Sequence, residues 1–362
     1  MPLKVLAFTP LPEAGAASRY RVFQWCEPLR ALGIELHPAP FFDPRAFARL
    51  YSRAGTLRKA WDLARLTSAH LAHLKSAARY DLAFVHRELW PLAGEWPLKQ
   101  MREVQPKWVF DLDDAVFLPN SSDANRYLMG LKSHHSVSSI AAGACAVSAG
   151  NAWLADWARG ERPGQAAETV EVIPTAVDSD LWIPAARSEE GPVRLIWIGT
   201  PSTLRYLEDW GPSLSRLGAR HPSLELHVIG SQFELPGLRC FSHDWSAGTE
   251  RSIAQRCHIG LAPLGDGKWE RGKCGLKLLL YMALGLPAVA SDTGVHPSIL
   301  TRGEDGELVT NGENLEATLE RLIGDSARRQ VLGRTARATL ERHFSVRALA
   351  PRLADLLLRA AG

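Results

Sequence analysis

Long apolar runs are lacking: none reaches the roughly 18 residues that would suggest a membrane span. The longest candidate, Leu278 to Ala290, is broken by Gly285 and Pro287 and reads as a buried helix followed by a strand. The first residues, MPLKVLAFTPLP, are too short in apolar length for a signal peptide and show no cleavage pattern; they read as a strand ending at Pro10. Cysteine is scarce: Cys26, Cys145, Cys240, Cys257 and Cys274 are odd in number and share no paired spacing. Neither a disulfide framework nor a zinc site is expected, and reduced thiols in a cytosolic setting are the default. Charge of one sign is lacking too, since 42 Lys and Arg against 39 Asp and Glu leave only +3. That excess is too slight to argue for nucleic acid.

What the chain does have is two domains' worth of ordinary globular composition. Its 362 residues are 46% hydrophobic and 22% charged, enough to bury two cores. Strand-like runs alternate with helical patterns, the signature of doubly wound α/β architecture. In the first half these runs are Lys4 to Phe8, Leu82 to His86, Trp108 to Leu112, Ala144 to Ser148 and Glu171 to Ile173. The scheme restarts with Val193 to Ile198, Leu224 to Ile229, Ile259 to Ala262, Ala288 to Ser291 and Glu307 to Val309. Two Rossmann-like domains are expected, at 1–183 and 184–345, with a helix at 346–362 returning to the first. The stretch WIPAARSEEGP reads as a hinge between them. Ligands of such domains sit beyond the C-terminal strand ends, so the residues after each strand are the candidates.

The strongest candidate is WERGKCGLKLLLYMALGLPAVAS, Trp269 to Ser291, where a charged, glycine-broken loop runs into an apolar helix and then a strand. Gly272 and Gly275 permit close backbone approach, and a helix starting near Gly275 presents unpaired N–H groups to an anion. Arg271, Lys273 and Lys277 add full positive charge, so a phosphate is the expected guest. The same pattern also describes a plain helix stop with solvated lysines.

Other strand ends carry chemistry of their own. TPLPEAGAASRYR puts Gly15 and the Ser18, Arg19, Arg21 cluster before a helix expected near Val22, with Arg19 as the cleft candidate. FDLDDAVF sets Asp111, Asp113 and Asp114 at one strand end, where three carboxylates must be solvated, paired or used. A divalent metal held by an Asp-x-Asp arrangement is the alternative there. ACAVSAGNAWL places Ser148, Gly150 and Asn151 in a strand-to-helix turn, and RLIWIGTPSTLRYLEDW offers Gly199, Thr200, Ser202, Thr203 and Arg205 in another anion-receptive turn.

YMALGLPAVAS, followed by Gly294, His296 and Pro297, resembles the nucleotide-sugar segment of GT-B glycosyltransferases of the retaining, family-4-like type (glycosyl transferases group 1), and KCGLKLLLYMALGLPAVAS resembles one bacterial branch of them. VIPTAVD and VIGSQ resemble further landmarks of that family. The resemblance implies two Rossmann-like domains facing a cleft, and transfer of a hexose-type sugar from a nucleoside diphosphate donor to an acceptor hydroxyl, with retention and without a metal. The nucleotide sugar is then a co-substrate, and no cofactor is implied. FDLDDAVF resembles an Asp-Asp version of the family's His-Asp strand end, which sets Asp113 beside the acceptor hydroxyl as the orienting or deprotonating group and Asp114 in the aspartate position. Gly199, Thr200, Arg205, Arg271, Lys273, Gly275 and Lys277 become donor-binding candidates, and Gly15, Arg19 and Asn151 acceptor or cleft-loop residues. One departure is large: the family's paired glutamates align with Gly272 and Leu280, so Glu270, two residues early, is the candidate to serve the sugar.

From Arg45 to Arg79, Arg45, Arg49, Arg53, Arg58, Lys59, Arg65, Lys75 and Arg79 accompany one acid, Asp62, and interleave with Phe47, Leu50, Leu57, Trp61 and Leu66. This reads either as a solvated helical face or as a basic amphipathic surface for anionic lipid headgroups, which would bring a cytoplasmic enzyme to the inner membrane and a lipid-linked acceptor. Saccharide or lipid-linked acceptors in bacterial surface polysaccharide assembly follow from the resemblance. Two rival functions stand beside transfer: a sugar-nucleotide epimerase on the same scaffold, and a non-catalytic nucleotide-binding or scaffold protein marked by the lost glutamates.

Overall fold

The computed structural model describes residues 1–50, 56–90, 94–118, 134–162, 164–310 and 314–362. The chain runs β1 (Leu3–Thr9), α1 (Ala16–Arg21), α2 (Cys26–Ala31), β2 (Ile34–Pro40), α3 (Pro44–Leu50), α4 (Thr56–Ser76), β3 (Leu82–His86), α5 (Trp96–Val104), β4 (Trp108–Leu112), α6 (His134–Gly143), β5 (Ala146–Ala149), α7 (Ala152–Gly160) and β6 (Val170–Val172). It continues with β7 (Arg194–Ile198), α8 (Leu204–Asp209), α9 (Gly211–Arg220), β8 (Glu225–Ile229), β9 (Arg239–His243), α10 (Ala247–Ala254), β10 (Ile259–Ala262), α11 (Lys268–Arg271), α12 (Leu276–Ala283), β11 (Ala288–Ser291), α13 (His296–Ile299), β12 (Glu307–Val309), α14 (Leu315–Gly324), α15 (Ser326–His343) and α16 (Val346–Ala361).

Two compact units result. One comprises Met1–Ala176, Gly272–Cys274 and Val346–Gly362; the other comprises Val177–Arg271 and Gly275–Ser345. Each holds a six-stranded sheet, ordered β2-β1-β3-β4-β5-β6 in the first and β12-β11-β10-β7-β8-β9 in the second. All strand pairs in both sheets are parallel. Parallel strands are covered on both faces, which is why runs such as LAFVH and WVFDL are buried throughout.

In the first unit, one sheet face packs Leu6, Phe8, Phe110 and Val147 with Met101 and Leu154. The other packs Val5, Ala7, Phe84 and Val109 with Leu29 and with Leu349, Leu353 and Leu357 of α16. The second unit's core gathers Leu195, Trp197, Leu226 and Val228 under Leu207, Leu214 and Leu319.

Two expectations are corrected. The sheets have six strands each, because β2 and β9 join at their edges. The first helix starts at Ala16, not near Val22: Gly15 serves as its N-cap, and Gly15 O accepts from Arg19 N at 2.9 Å. The basic stretch does form helices, α3 and α4. On α4 the buried line is Asp62, Leu66, His70 and Leu74, spaced by four, while Arg58, Trp61 and Arg65 face outward. Asp62 pairs with two of the surrounding cations, Arg49 at 2.9 and 2.7 Å and Arg65 at 3.8 Å. Arg53 lies outside the described residues, as do the side chains of Leu50, Leu57 and Lys59. Among the described residues, no helix is long and apolar enough to cross a membrane.

Candidate functional site

Parallel register builds the first unit's polar cluster. His86 pairs across to Asp111 and Asp111 to Ser148, so three polar side chains form a row at the C-terminal ends of β3, β4 and β5. Arg21, at the end of α1, drops into that row. Its guanidinium donates to Asp111 Oδ2 at 3.0 Å and Oδ1 at 2.5 Å, to Ser148 Oγ at 3.1 Å and to Ile173 O at 2.9 Å. His86 Nδ1 lies 2.9 Å from Asp111 Oδ2. Burial works to raise the Asp111 carboxyl, but Arg21 and His86 outweigh it and hold it below the usual carboxylate range.

Asp113 and Asp114 follow on the same strand end. Arg87 Nε donates to Asp113 Oδ1 at 2.6 Å and its Nη2 to Oδ2 at 3.0 Å, the two-pronged geometry that a guanidinium prefers. Arg87 adopts a left-handed backbone, φ 65°, which a non-glycine residue takes at a cost. Burial favours the neutral acid of Asp113, yet Arg87 and His86 overcome it and depress its pKa strongly. Lys273 Nζ lies 3.1 and 2.8 Å from the two oxygens of Asp114, whose Oδ1 also accepts from Ala115 N at 2.9 Å.

Gly272–Cys274 therefore belongs with this strand end. Asn151 caps α7 by accepting from Leu154 N at 2.8 Å, and its amide donates to Lys273 O at 2.9 Å. A Cβ on Gly150 would stand 2.4 Å from Cys274 Sγ, so only glycine fits beneath that thiol. Arg19 is half-buried, with its guanidinium 5.0 Å from the centre of the Tyr20 ring.

In the second unit, the turn after β7 and the start of α12 converge. A Cβ on Gly199 would stand 2.2 Å from the Trp197 ring and 2.9 Å from Thr203 Oγ1, so this turn requires glycine. Thr200 opens a short turn closed by Thr203, whose Oγ1 is 3.1 Å from Thr200 O. Lys277 Nζ reaches Thr203 Oγ1 at 3.4 Å and sits over the Trp197 ring. Gly275, at φ 67°, caps α12. Lys277 and the turn at Gly199 thus present a cation and glycine-permitted backbone side by side, which suits an anion.

Next to them lies a carboxylate cage. Glu270 Oε1 accepts from Arg205 Nη2 at 2.9 Å and from the Tyr206 hydroxyl. Gly265 and Gly267 leave the room for it, since a Cβ on Gly267 would stand 2.3 Å from Glu270 Oε2. Burial and Glu270 push the Tyr206 hydroxyl up to about 12, so it stays a donor. Arg271 turns instead to Asp266, at 3.3 Å. His296 is buried with Nδ1 3.0 Å from Ser291 O, and burial lowers its pKa to about 4.

Of the residues singled out from sequence, Asp113, Asp114, Lys273 and Asn151 gather in the first unit, and Gly199, Thr200, Lys277, Gly275, Glu270 and Arg205 in the second. His86, Arg87, Tyr206 and Trp197 were missed. A histidine and an arginine directly following the apolar run LAFV were the available signal for the first two.

Residues 183–325 match the family model described as Glycosyl transferases group 1. Among solved structures, the chain is similar to Anabaena HepE in complex with UDP and glucose, at 16% identity and TM-score 0.66 over 98% of this chain and 99% of that one. Sucrose-phosphate synthase from Thermosynechococcus elongatus aligns at 16% identity and TM-score 0.68, over 99% and 100%. The chain has the GT-B fold. A glycosyltransferase from Rickettsia africae ESF-5 shares this GT-B likeness at 13% identity and TM-score 0.69, over 99% and 98%. No curated protein sequence matches the chain. The GT-B fold and the group 1 match agree with the resemblance carried by YMALGLPAVAS and Gly294.

Proposed function

We propose that this protein is a retaining glycosyltransferase that moves a hexose-type sugar from a nucleoside diphosphate to an acceptor hydroxyl without a metal ion. The observation that carries this is the convergence of Lys277, the Gly199 turn and the start of α12 at Gly275, within the region that matches group 1 glycosyl transferases. As the bond from the anomeric carbon to the diphosphate breaks, its electron pair leaves with the diphosphate. Lys277 and the nearby backbone N–H groups offset that charge, the main electrostatic task of such a site.

Glu270 takes over the sugar hydroxyls from the absent family glutamates. Neither family position can serve: Leu280 is buried in the core, and Gly272 is fixed by Ala115, whose Cβ lies 2.6 Å from where a side chain would begin. Arg205 and Tyr206 keep Glu270 ionised and aimed. Asp113 meets the acceptor hydroxyl, and Arg19, Gly15 and Asn151 border the acceptor's place. The acceptor is a glycan or lipid-linked saccharide of surface polysaccharide assembly, met at the cytoplasmic face of the inner membrane. In support of that location, Trp61 is 71% exposed on α4, with Arg58 and Arg65 on the same outward face.

A thermal-shift screen against UDP, GDP, ADP, TDP and CMP, with and without Mg²⁺, tests the donor half of this proposal. UDP goes first, because HepE binds UDP and UDP-glucose. Stabilisation by one diphosphate irrespective of Mg²⁺ is the expected result. No shift with any nucleotide would favour a scaffold protein instead.

A further inference from the structure

The second unit's sheet changes winding direction between β10 and β7: from β7 the chain moves outward to β8 and β9, and from β10 outward the other way to β11 and β12. Loops that follow two such strands diverge and leave a crevice at the C-terminal strand ends. In this chain they are the turn at Gly199 and the segment from Pro263 that leads to Glu270. β7 and β10 pair only at Leu195 with Ile259 and at Ile196 with Gly260. Carried one step further, that register would have Ile198 N donate to Leu261 O. A side chain stands there instead. Ile198 N donates to Tyr281 Oη at 3.1 Å, and Oη donates to Leu261 O at 3.2 Å.

Tyr281 is fully buried, and its hydroxyl gives its single proton to one strand while it accepts from the other. Burial pushes its pKa up, so the proton bonded to Leu261 O stays in place. Room for the ring comes from Gly260, where a Cβ would stand 2.3 Å from it. Tyr281 follows Lys277 by four residues on α12, and such residues share one face of a helix. Both meet β7 and its turn: Lys277 reaches the far side at Thr203 Oγ1, 3.4 Å away, and Tyr281 holds the root at Ile198. One helix thus grips the Gly199 turn at two points.

We propose that Tyr281 is a positioning residue for the donor diphosphate: its hydroxyl takes the place of the next ladder bond between β7 and β10 and so holds the Gly199 turn in register with Lys277. This rests on the reading that the Gly199 turn and Lys277 hold the diphosphate. Packing alone does not ask for the hydroxyl, because phenylalanine would fill the same space. Without Oη, Ile198 N and Leu261 O are left either unpaired or drawn together by one more rung. Unpaired, the root of the turn loosens; drawn together, it shifts toward β10 and away from its place beside Lys277. In both cases the anion's donors on β7 and on α12 no longer converge, while the sheet and its core persist.

The test compares the full-length wild type with Tyr281→Phe. Isothermal titration uses the nucleoside diphosphate selected by the thermal-shift screen, UDP first, and an NMR titration uses its parent nucleoside. Tyr281→Phe should bind the diphosphate about fivefold to tenfold more weakly and the nucleoside within about twofold of wild type, because only the phosphate donors are displaced. Lys277→Ala should cost less in Tyr281→Phe than in wild type, the mark of two residues that act through one turn. Unchanged diphosphate affinity, equal losses for diphosphate and nucleoside, or fully additive losses with Lys277→Ala would each overturn the proposal. Should Tyr281→Phe fail to fold, hydrogen exchange on the wild type decides. Saturating diphosphate should then slow the Ile198 amide by at least about threefold more than the Leu195 and Ile196 amides deeper in the strand. Equal slowing of all three would overturn it. A wild type that binds no nucleoside diphosphate removes the functional reading and this inference together; wild-type binding that Tyr281→Phe leaves intact removes this inference alone.

Discussion

Lys277 Nζ stands 4.4 Å from the centre of the Trp197 ring, at the end of β7 and over the turn that Gly199 shapes. The ring face attracts the ammonium by its negative quadrupole, and Thr203 Oγ1 lies 3.4 Å from the same Nζ.

Lys277→Ala should therefore weaken UDP binding by about tenfold, or on the order of 1–2 kcal/mol, the worth of one charge-assisted hydrogen bond. Isothermal titration measures it. Trp197→Leu should weaken binding less, because it loosens the ammonium without removing it. Unchanged UDP affinity in Lys277→Ala would exclude Lys277 from the diphosphate site.

Glu270→Gln should leave UDP binding intact but abolish the extra stabilisation that UDP-glucose gives over UDP. The comparison of the two ligands in thermal-shift experiments isolates the sugar contribution. Tyr206→Phe should act in the same direction and more weakly, since Arg205 still orients the carboxylate. Equal losses for both ligands would instead mark Glu270 as a structural residue of the loop.

Asp111→Ala should cost the first unit about 3–5 kcal/mol, because Arg21 would remain buried without its counter-charge. Urea unfolding followed by tryptophan fluorescence reads this. The double variant Arg21→Met with Asp111→Leu should recover much of the loss by removing both charges together. A single variant that costs less than about 1 kcal/mol would show that water reaches the pair.

Acid should destabilise the fold through two buried imidazoles. His70 lies among the Phe8, Phe41 and Trp90 rings, and burial lowers its pKa from 6.5 to about 4; His296 behaves alike. The unfolded chain takes up these protons first, so stability is intact above pH 6.5 and falls as pH drops from 6.5 towards 4. Each contributes on the order of 3 kcal/mol when the loss is complete. His70→Leu should flatten the slope of unfolding free energy against pH in that window. An unaltered slope would show that His70 already charges in the folded protein.

Trp61→Ala combined with Arg58→Glu should reduce cosedimentation with anionic phosphatidylglycerol vesicles at least about threefold. Neutral vesicles should show little binding in either protein. Equal cosedimentation of variant and wild type would leave α4 as a solvated surface.

Most of this fold is legible in the order of apolar and polar residues, and the gaps have a common cause. Leu82 to His86, Trp108 to Leu112, Ile259 to Ala262, Ala288 to Ser291 and Glu307 to Val309 match the observed strands residue for residue, because buried parallel strands are written as unbroken apolar runs. The two strands that escaped are both edges. β2 carries Pro38 and Pro40, which an interior strand would not tolerate but an edge does, and β9, RCFSH, needs no apolar run because it lies half exposed. The site divides similarly. Lys277 and Gly275 declared themselves through a glycine-broken basic loop before a helix. Arg87 and His86 matter through neighbours on β4 that register alone brings beside them, and register between distant strands leaves no local mark in the sequence.

The helix Val346–Ala361 closes one face of the first unit's sheet, yet it is encoded after the entire second unit. On the ribosome, domains ordinarily mature in the order they emerge. Val5, Phe84 and Val109 pack against Trp25 and Leu29, made early, and against Leu349, Leu353 and Leu357 of α16, made last. The second unit, which needs nothing from α16 for its own core, is free to fold in the meantime. The covering of the first unit's sheet is thus completed by a helix that is made only after the whole second unit.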